Sequence, residues 1–207
     1  MTDTTWTFTS PYVVLPRENV DTDQIIPARF LTTTSRVGLG PFAFNDWRWL
    51  PDGAPNPDFP IGPDGVGGAR VLVAGHNFGC GSSREHAVWA LAGIGVRAVV
   101  SSTFADIFRG NALGNGLLPI EVSPDVLARL MAAQGPDARV GIDLASSTLT
   151  LPDGERVTFP IPPFARHCLL HGIDELQFVL GESDAIAAYE AAHPRTIDTT
   201  LAAQEAA

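Results

Sequence analysis

Residues 69–94 constrain the fold most, because they follow the order of a strand, a glycine-rich loop and a helix. Residues 71–73 are a short apolar run of the kind that forms a buried strand. The loop after them contains Gly75, Gly79 and Gly81, which can adopt backbone conformations closed to residues with a Cβ. We therefore expect functional residues to lie in this loop.

The sequence Ser-Ser-Arg-Glu at residues 82–85 has the form of a capping box. In such a box Ser82 would accept a hydrogen bond from the first helical turn, and Glu85 would reach back to the amide of Ser82. The pattern predicts a helix that begins near Ser83. The two serine hydroxyls and the guanidinium of Arg84 would then lie at the positive end of the helix dipole, where unpaired amides favour an anion. The sequence therefore predicts a site for a carboxylate or phosphate.

Three common motifs do not fit this loop. A P-loop needs a lysine directly before its serine or threonine, and Gly81 occupies that position. A dinucleotide fingerprint needs a third glycine where Arg84 stands. The nucleophile elbow G-x-S-x-G is also absent, which argues against a serine hydrolase.

The segments around this stretch predict a parallel sheet with crossover helices. Apolar runs at residues 96–100 and 117–122 predict two more strands, with a helix over 101–113 between them. Ser123 and Pro124 are typical of the start of a further helix, which should extend to about residue 133. Strands that alternate with helices in this way are typical of parallel pairing.

Both ends of the chain have other patterns. Residues 6–15 alternate as in a strand. Residues 140–159 form two alternating runs around Pro-Asp-Gly-Glu, which predicts an antiparallel hairpin. Short helices are expected over 160–172 and 173–181, and a last one, capped by Ser183, up to residue 192.

Composition limits the class of protein. The chain has 207 residues, of which 45% are hydrophobic, so residues 1–193 can form one domain, while residues 194–207 are expected to be a disordered tail. Residues 29–63 are rich in Gly, Pro and aromatic residues, so we expect a long functional loop. A net charge of −10 argues against nucleic acid and anionic membranes as partners. The start lacks the basic region of a signal peptide, and no apolar run approaches the roughly 20 residues of a membrane span, so we expect a cytoplasmic protein.

Three strings together resemble one known family. They are Asp-Thr-Asp-Gln-Ile-Ile-Pro at 21–27, Gly-Cys-Gly-Ser-Ser-Arg-Glu-His-Ala at 79–87 and Asn-Gly-Leu-Leu-Pro-Ile at 115–120. They look like the small subunits of 3-isopropylmalate dehydratases, the separate-chain counterparts of the aconitase swivelling domain. The resemblance runs from about residue 8 to about residue 193. It implies an α/β fold, a swivelling β/β/α three-layer domain with a mostly parallel central sheet and an added antiparallel hairpin.

The resemblance also implies an activity, a cofactor and a partner. Members of this family isomerise 2-isopropylmalate and 3-isopropylmalate by removing and re-adding water, in leucine biosynthesis. An aconitase-type 4Fe-4S cluster takes three thiolates, and this chain has two cysteines. The cluster is therefore expected on a large subunit, with no cofactor or metal on this chain and the active site at the interface. The same chemistry on citraconate or homoaconitate, and a non-catalytic carboxylate-binding subunit, are the alternatives.

The resemblance assigns roles to five residues. Ser82 matches the base that removes a proton beside a carboxylate, and Asp23 matches an active-site aspartate. Ser83 and Arg84 would bind substrate, and Arg36 would hold a second carboxylate. The loop at 29–63, which contains Arg36, would cover the substrate. The residues alone also allow two structural interpretations: Ser82 as a helix cap and Arg36 as an exposed, solvated arginine.

Several neighbours of these residues are given structural roles or none. Asp21 is expected to be structural, as the cap of a turn. Cys80 is interpreted as a nearby residue that does not bind the cluster and is open to oxidation. His86, one turn into the predicted helix, is given no catalytic role, and nothing in the spacing of His76 and Asn77 assigns them one.

Overall fold

The computed structural model describes residues 6–32, 34–133 and 135–193. The chain divides into two compact units, Met1–Gly172 and Ile173–Ala207. The first unit contains the sheet and every candidate site residue, and a single domain over 1–193 stays a prediction. The expected disordered tail, 194–207, lies outside the described residues.

A curled sheet of seven strands organises the first unit. Its strands are β1 Thr7–Leu15, β2 Val71–Ala74, β3 Ala98–Ser101, β4 Leu118–Glu121, β5 Arg139–Asp143, β6 Thr148–Thr150 and β7 Arg156–Thr158. Their order is β4-β3-β2-β1-β5-β6-β7, parallel from β4 to β1 and antiparallel from β1 to β7. The long β1 joins the two halves, because Thr7 to Pro11 pair with β5 and Tyr12 to Leu15 pair with β2.

Helices connect the parallel strands and complete the chain. The α-helices are α1 Thr22–Ile25, α2 Asn45–Arg48, α3 Glu85–Gly93, α4 Asp106–Gly114, α5 Pro124–Ala132, α6 Pro163–His171, α7 Glu175–Gly181 and α8 Ser183–Ala192. Short 3-10 helices span Ala28–Phe30 and Gly40–Phe42. Within the described ranges, no helix is long and apolar enough to cross a membrane.

Both faces of the parallel strands are buried, which explains why their sequences are uninterrupted apolar runs. One core contains Leu72 and Val99 of the sheet with the buried side of α3. The other core joins Val71 and Val73 to apolar residues of α5 and of the antiparallel strands. Helices, parallel strands and antiparallel strands therefore form three layers, which confirms the predicted fold class.

The predicted boundaries are wrong at two places in the first unit. The helix expected over 101–113 begins only at Asp106, because Ser101 belongs to β3 and its hydroxyl donates to the carbonyls of Gly75 (2.6 Å) and Thr103 (2.9 Å). The expected hairpin at 140–159 has three strands. Its first run is divided by a turn in which the carboxylate of Asp143 accepts from the amide of Ala145 and the hydroxyl of Ser146.

In the second unit, the bounds of the helices match expectation but one cap does not. The side chain of Ser183 does not cap α8, because Glu182 holds the cap position and the Ser183 hydroxyl donates back to the carbonyl of Leu180. α7 instead has a capping box formed by Asp174 and Gln177.

The long loop at 29–63 is folded around a buried arginine. Arg48 is 3% exposed, and its guanidinium donates to the carbonyls of Gly40, Ala43, Gly62 and Pro63 at 3.0 to 3.1 Å. These bonds tie the later part of the loop to itself, while residues 34–38 before it are exposed. A substrate-covering role for the loop stays a prediction.

Candidate functional site

The glycine loop and α1 meet at the carboxyl ends of β1 and β2. These strands are parallel neighbours, so the segments that follow them leave the sheet at the same edge. The amides of Gly79 and Cys80 donate to the carbonyl of Val20, at 2.7 and 3.2 Å. The amide of Thr22 donates in return to the carbonyl of Cys80 at 2.9 Å. Two segments about 60 residues apart in sequence are thereby held side by side.

Glycine is required at position 79. Its φ of +78° lies in the left-handed region, and a Cβ there would come within 2.2 Å of the ring of Phe108. Gly81 also has a positive φ, +89°. The glycines therefore let the loop pass close to α4 and reverse direction before Ser82.

The predicted capping box is not formed. α3 begins at Glu85, and Arg84 takes the cap position with an extended backbone and no side-chain cap bond. Ser82 and Ser83 lie in the exposed loop before the helix. The hydroxyl of Ser82 is therefore not used as a helix cap, although it still lies next to the positive end of α3.

Asp23 and Arg84 face each other across the two segments. A terminal nitrogen of Arg84 lies 3.4 Å from a carboxylate oxygen of Asp23, and these side chains are 26% and 51% exposed. The Nε of Arg84 is buried and makes no hydrogen bond with the described residues. The ion pair with Asp23 thus involves one terminal nitrogen of a side chain that is partly exposed and lies two residues from the exposed Ser82.

Asp21 has the structural role expected of it. Its carboxylate accepts from the amide of Gln24 at 2.7 Å, and the side chain of Gln24 accepts from the amide of Asp21 at 3.0 Å. This capping box fixes the first turn of α1. Asp23, two residues later in that turn, is left to face Arg84.

The structure places Arg36 beside α3. Its guanidinium is 5.8 Å from the ring centroid of Trp89, on α3. The indole of Trp89 is itself held by Asn115, at 2.8 Å. Among the described residues, the structure brings together Asp23, Arg84 and the loop of Ser82, and does not join Arg36 to the Asp23–Arg84 pair.

Thr22 contacts the site loop, although nothing in the sequence singled it out. This residue is 2% exposed, and its hydroxyl donates to the carbonyl of Ser82 at 2.9 Å. The signal present in the sequence is a β-branched hydroxyl residue between two aspartates. It does not reveal a partner 60 residues away.

Cys80 lies at the base of the site loop and its thiol is not activated. Its sulfur donates to the carbonyl of Asn19 at 3.3 Å. Burial, and then the negative charge of Asp21, raise the pKa of the thiol above its usual value. The thiolate is the reactive form, so Cys80 is expected to be a slow nucleophile at neutral pH.

We expect alkylation of Cys80 by iodoacetamide to reach its half-maximal rate at a higher pH than alkylation of a free cysteine. A Cys168→Ser background leaves Cys80 as the reporter, and peptide mass spectrometry measures the rate across pH. Asp21→Asn should lower the midpoint, because it removes the negative charge while an asparagine can still cap α1. A midpoint at or below that of the free amino acid would contradict the assignment.

The donor set of this chain does not fit an iron–sulfur cluster. Cys80 is in the site loop, whereas Cys168 is buried in α6, and the two do not form a disulfide. Among the described residues, no group of three or more His, Cys, Asp or Glu side chains is placed to hold a metal ion. A three-thiolate cluster therefore needs ligands from outside this chain.

Comparison with known proteins identifies the family. The aconitase C-terminal domain family matches residues 12–125. The 3-isopropylmalate dehydratase small subunit of Chloroflexus aggregans is 55% identical over 197 residues, covering 94% of this chain and 97% of the relative. That of Anaeromyxobacter dehalogenans is 58% identical over 178 residues, covering 86% and 92%.

A solved structure agrees with these relatives. The 3-isopropylmalate dehydratase crystal structure from Methanocaldococcus jannaschii has a TM-score of 0.65 and 29% identity, and the match covers 89% of this chain and 99% of that one. The chain therefore belongs to the aconitase superfamily, in the family of 3-isopropylmalate dehydratase small subunits.

Proposed function

We propose that this chain is the small subunit of a cytoplasmic 3-isopropylmalate dehydratase, a hydro-lyase that isomerises 2-isopropylmalate and 3-isopropylmalate. The observation that carries the proposal is the Asp23–Arg84 pair beside the exposed Ser82, in a chain that is 55% identical to a named small subunit. The two cysteines do not form a disulfide, as suits a reducing compartment.

Ser82 is the proposed base for the proton beside the substrate carboxylate. A neutral hydroxyl is a weak base, so its alkoxide needs nearby positive charge. The start of α3 and the guanidinium of Arg84 supply such charge next to Ser82. Because the hydroxyl of Ser82 is not used to cap α3, it can take this role without disrupting the helix.

Arg84 is the proposed carboxylate ligand, and Asp23 a second catalytic residue. A guanidinium can bind a carboxylate through two parallel hydrogen bonds. The 3.4 Å separation from Asp23 is longer than a tight ion-pair contact. Asp23 is therefore proposed to orient Arg84 and to leave it able to bind a substrate carboxylate. Asp23 is half exposed and is proposed to contact the substrate directly. Ser83, also exposed, would bind the same anion.

Arg36 is proposed to bind the second carboxylate of a 2-hydroxy dicarboxylate. Arg36 is exposed, and its guanidinium lies 5.8 Å from the ring centroid of Trp89. Trp89 is on α3, the helix that begins next to Arg84, so Arg36 and Arg84 are both placed along this helix.

The large subunit is the proposed partner and the source of a 4Fe-4S cluster. When bound, such a cluster supplies an iron that acts as a Lewis acid on the substrate hydroxyl. This chain has two cysteines, fewer than the three thiolates of such a cluster, which supports placing the cluster on the large subunit. The active site would then be completed at the interface between the subunits.

Reconstitution tests this function. We expect the purified chain to be colourless and to have no isomerase activity. Activity should appear on mixing with the cluster-bearing large subunit, measured by the interconversion of 2- and 3-isopropylmalate in a chromatographic assay. Turnover by this chain alone, or a stoichiometric cluster on it, would rule out the shared site.

A substrate panel distinguishes the alternatives. The same complex is assayed with isopropylmalate, with citraconate and with the hydroxy acid that dehydrates to homoaconitate. We expect kcat/KM to be highest for isopropylmalate. A higher kcat/KM for another acid would support the proposed reaction type and contradict the proposed substrate. Assembly without turnover on any of them would favour a carboxylate-binding subunit.

A further inference from the structure

The buried hydroxyl of Thr22 makes a contact whose purpose the fold alone does not explain. We propose that Thr22 is a positioning residue, which orients the Ser82–Ser83 peptide so that its amide and the Ser82 hydroxyl face the substrate. The inference rests on the proposed role of Ser82. It adds a residue that acts through Ser82 and does not itself contact substrate.

The contact restrains the backbone of the proposed base itself, at the carbonyl of Ser82. Among the described residues, the main-chain bonds that join the two segments, between Val20, Thr22 and Cys80, reach as far as Cys80. Gly81 follows with a φ of +89°, and a glycine has the widest choice of backbone conformations. Without a further restraint, the peptide after Gly81 could turn in several directions. The bond from the Thr22 hydroxyl to the Ser82 carbonyl, at 2.9 Å, supplies that restraint.

Peptide geometry gives this bond a direct consequence at the site. The peptide unit is planar and trans, so its N–H points opposite to its C=O. The carbonyl of Ser82 points to Thr22, which is 2% exposed and therefore on the buried side of the loop. The amide of Ser83 must then point away from the buried side. There it lies with the exposed Ser82 and Ser83 side chains and the positive end of α3.

The hydroxyl is required for this role, and the shape of the side chain is not sufficient. Valine has nearly the shape of threonine but cannot donate a hydrogen bond. It would leave the Ser82 carbonyl without this donor, so the peptide would turn toward another donor or toward water. Serine retains the donor and loses only a methyl group. The pair of variants therefore separates orientation from packing.

We expect Thr22→Val to lower kcat about tenfold in the reconstituted complex, which is the loss of one neutral hydrogen bond. KM should change less than about threefold, because Arg84 still holds the substrate. Thr22→Ser should recover kcat to within about threefold of wild type. Steady-state kinetics measure kcat and KM. Thermal unfolding and the affinity for the large subunit show separately whether a variant has lost stability or assembly.

Thr148→Val is the matched control. Thr148, in β6 of the antiparallel half, is 6% exposed. Its hydroxyl donates to the backbone carbonyl of Ser146 at 3.2 Å and accepts from the hydroxyl of Ser146 at 3.0 Å. It should lower the unfolding temperature about as much as Thr22→Val and leave kcat unchanged. Equal losses of kcat in the two variants would mean that Thr22 only stabilises the fold.

The outcomes distinguish this inference from the proposed function. Wild-type kcat in Thr22→Val, while Ser82→Ala is inactive, would overturn the role of Thr22 and leave the function intact. Wild-type kcat in both variants would overturn the proposed base and with it this inference. A low kcat in Thr22→Val that Thr22→Ser does not recover would also overturn it, since packing would then explain the loss.

Discussion

Ser82→Ala is expected to lower turnover of the reconstituted complex by about 10²- to 10⁴-fold, the usual contribution of a positioned general base. The chain should stay folded and assembled. Ser82 is exposed and makes no cap bond with α3, so its free energy of unfolding should change by no more than about 0.5 kcal/mol. Steady-state kinetics, thermal unfolding and size-exclusion chromatography of the complex measure these quantities.

Ser123→Ala provides the opposite control. Ser123 caps α5, where its hydroxyl accepts from the amide of Val126 at 3.3 Å. Removing a serine cap costs about 0.5–2 kcal/mol of stability. This variant should therefore unfold more easily and keep its kcat. If Ser82→Ala instead behaved like Ser123→Ala, with lower stability and near-normal turnover, the proposed base would have to be abandoned.

The sequence predicted most of the sheet because its signals are local and strong. Parallel strands buried on both faces must be apolar throughout, and residues 71–73 and 96–100 show this directly. Ser123 followed by Pro124 likewise predicted the start of α5, since both act within one turn. These predictions need no knowledge of distant contacts.

The capping box failed because distant contacts override the local pattern. The S-x-x-E string at 82–85 satisfies the motif, but Thr22 binds the carbonyl of Ser82 from 60 residues upstream. Gly81 turns the chain before it, and the helix begins only at Glu85. A local motif could not report these constraints. The prediction that Ser82 and Arg84 lie beside the start of a helix nevertheless agrees with the structure, because a shift of two residues keeps both near it.

The sequence also could not predict the position of Arg36. The path of residues 34–38 depends on where the folded part of the loop begins, and Arg48 sets that through four carbonyls between positions 40 and 63. Nothing in the spacing of Arg36 predicts a contact with Trp89. The Asp23–Arg84 pair was not predicted either, because it depends on the parallel pairing of β1 with β2, which brings both segments to one edge of the sheet.

Arg84→Lys is expected to lower kcat/KM by about ten- to a hundredfold, although it keeps the positive charge. A planar guanidinium can bind a carboxylate through two parallel hydrogen bonds, which an ammonium group cannot reproduce. A hydrogen bond to a charged group is worth about 1.5–3 kcal/mol. At about 1.4 kcal/mol per factor of ten, its loss gives the expected range.

The two kinetic constants show where the lost bond acts. If Arg84 binds the carboxylate equally in the ground state and the transition state, KM alone should rise. If it also stabilises charge that develops during proton removal, kcat should fall as well, which is the outcome we expect from its position beside Ser82. Arg84→Ala should lower kcat/KM further than Arg84→Lys does, since it removes the positive charge and leaves Asp23 without this partner.

Arg129→Lys is the matched control for these kinetics. Arg129 pairs with Asp153 and Glu155 on the surface of the antiparallel half, and surface ion pairs of this kind contribute about 0–1 kcal/mol. The change should leave kcat and KM unaltered. Wild-type kinetics in Arg84→Lys would mean that Arg84 supplies only a diffuse positive charge. The carboxylate would then have to be bound elsewhere, and Arg36→Lys in the same assay would test the first candidate.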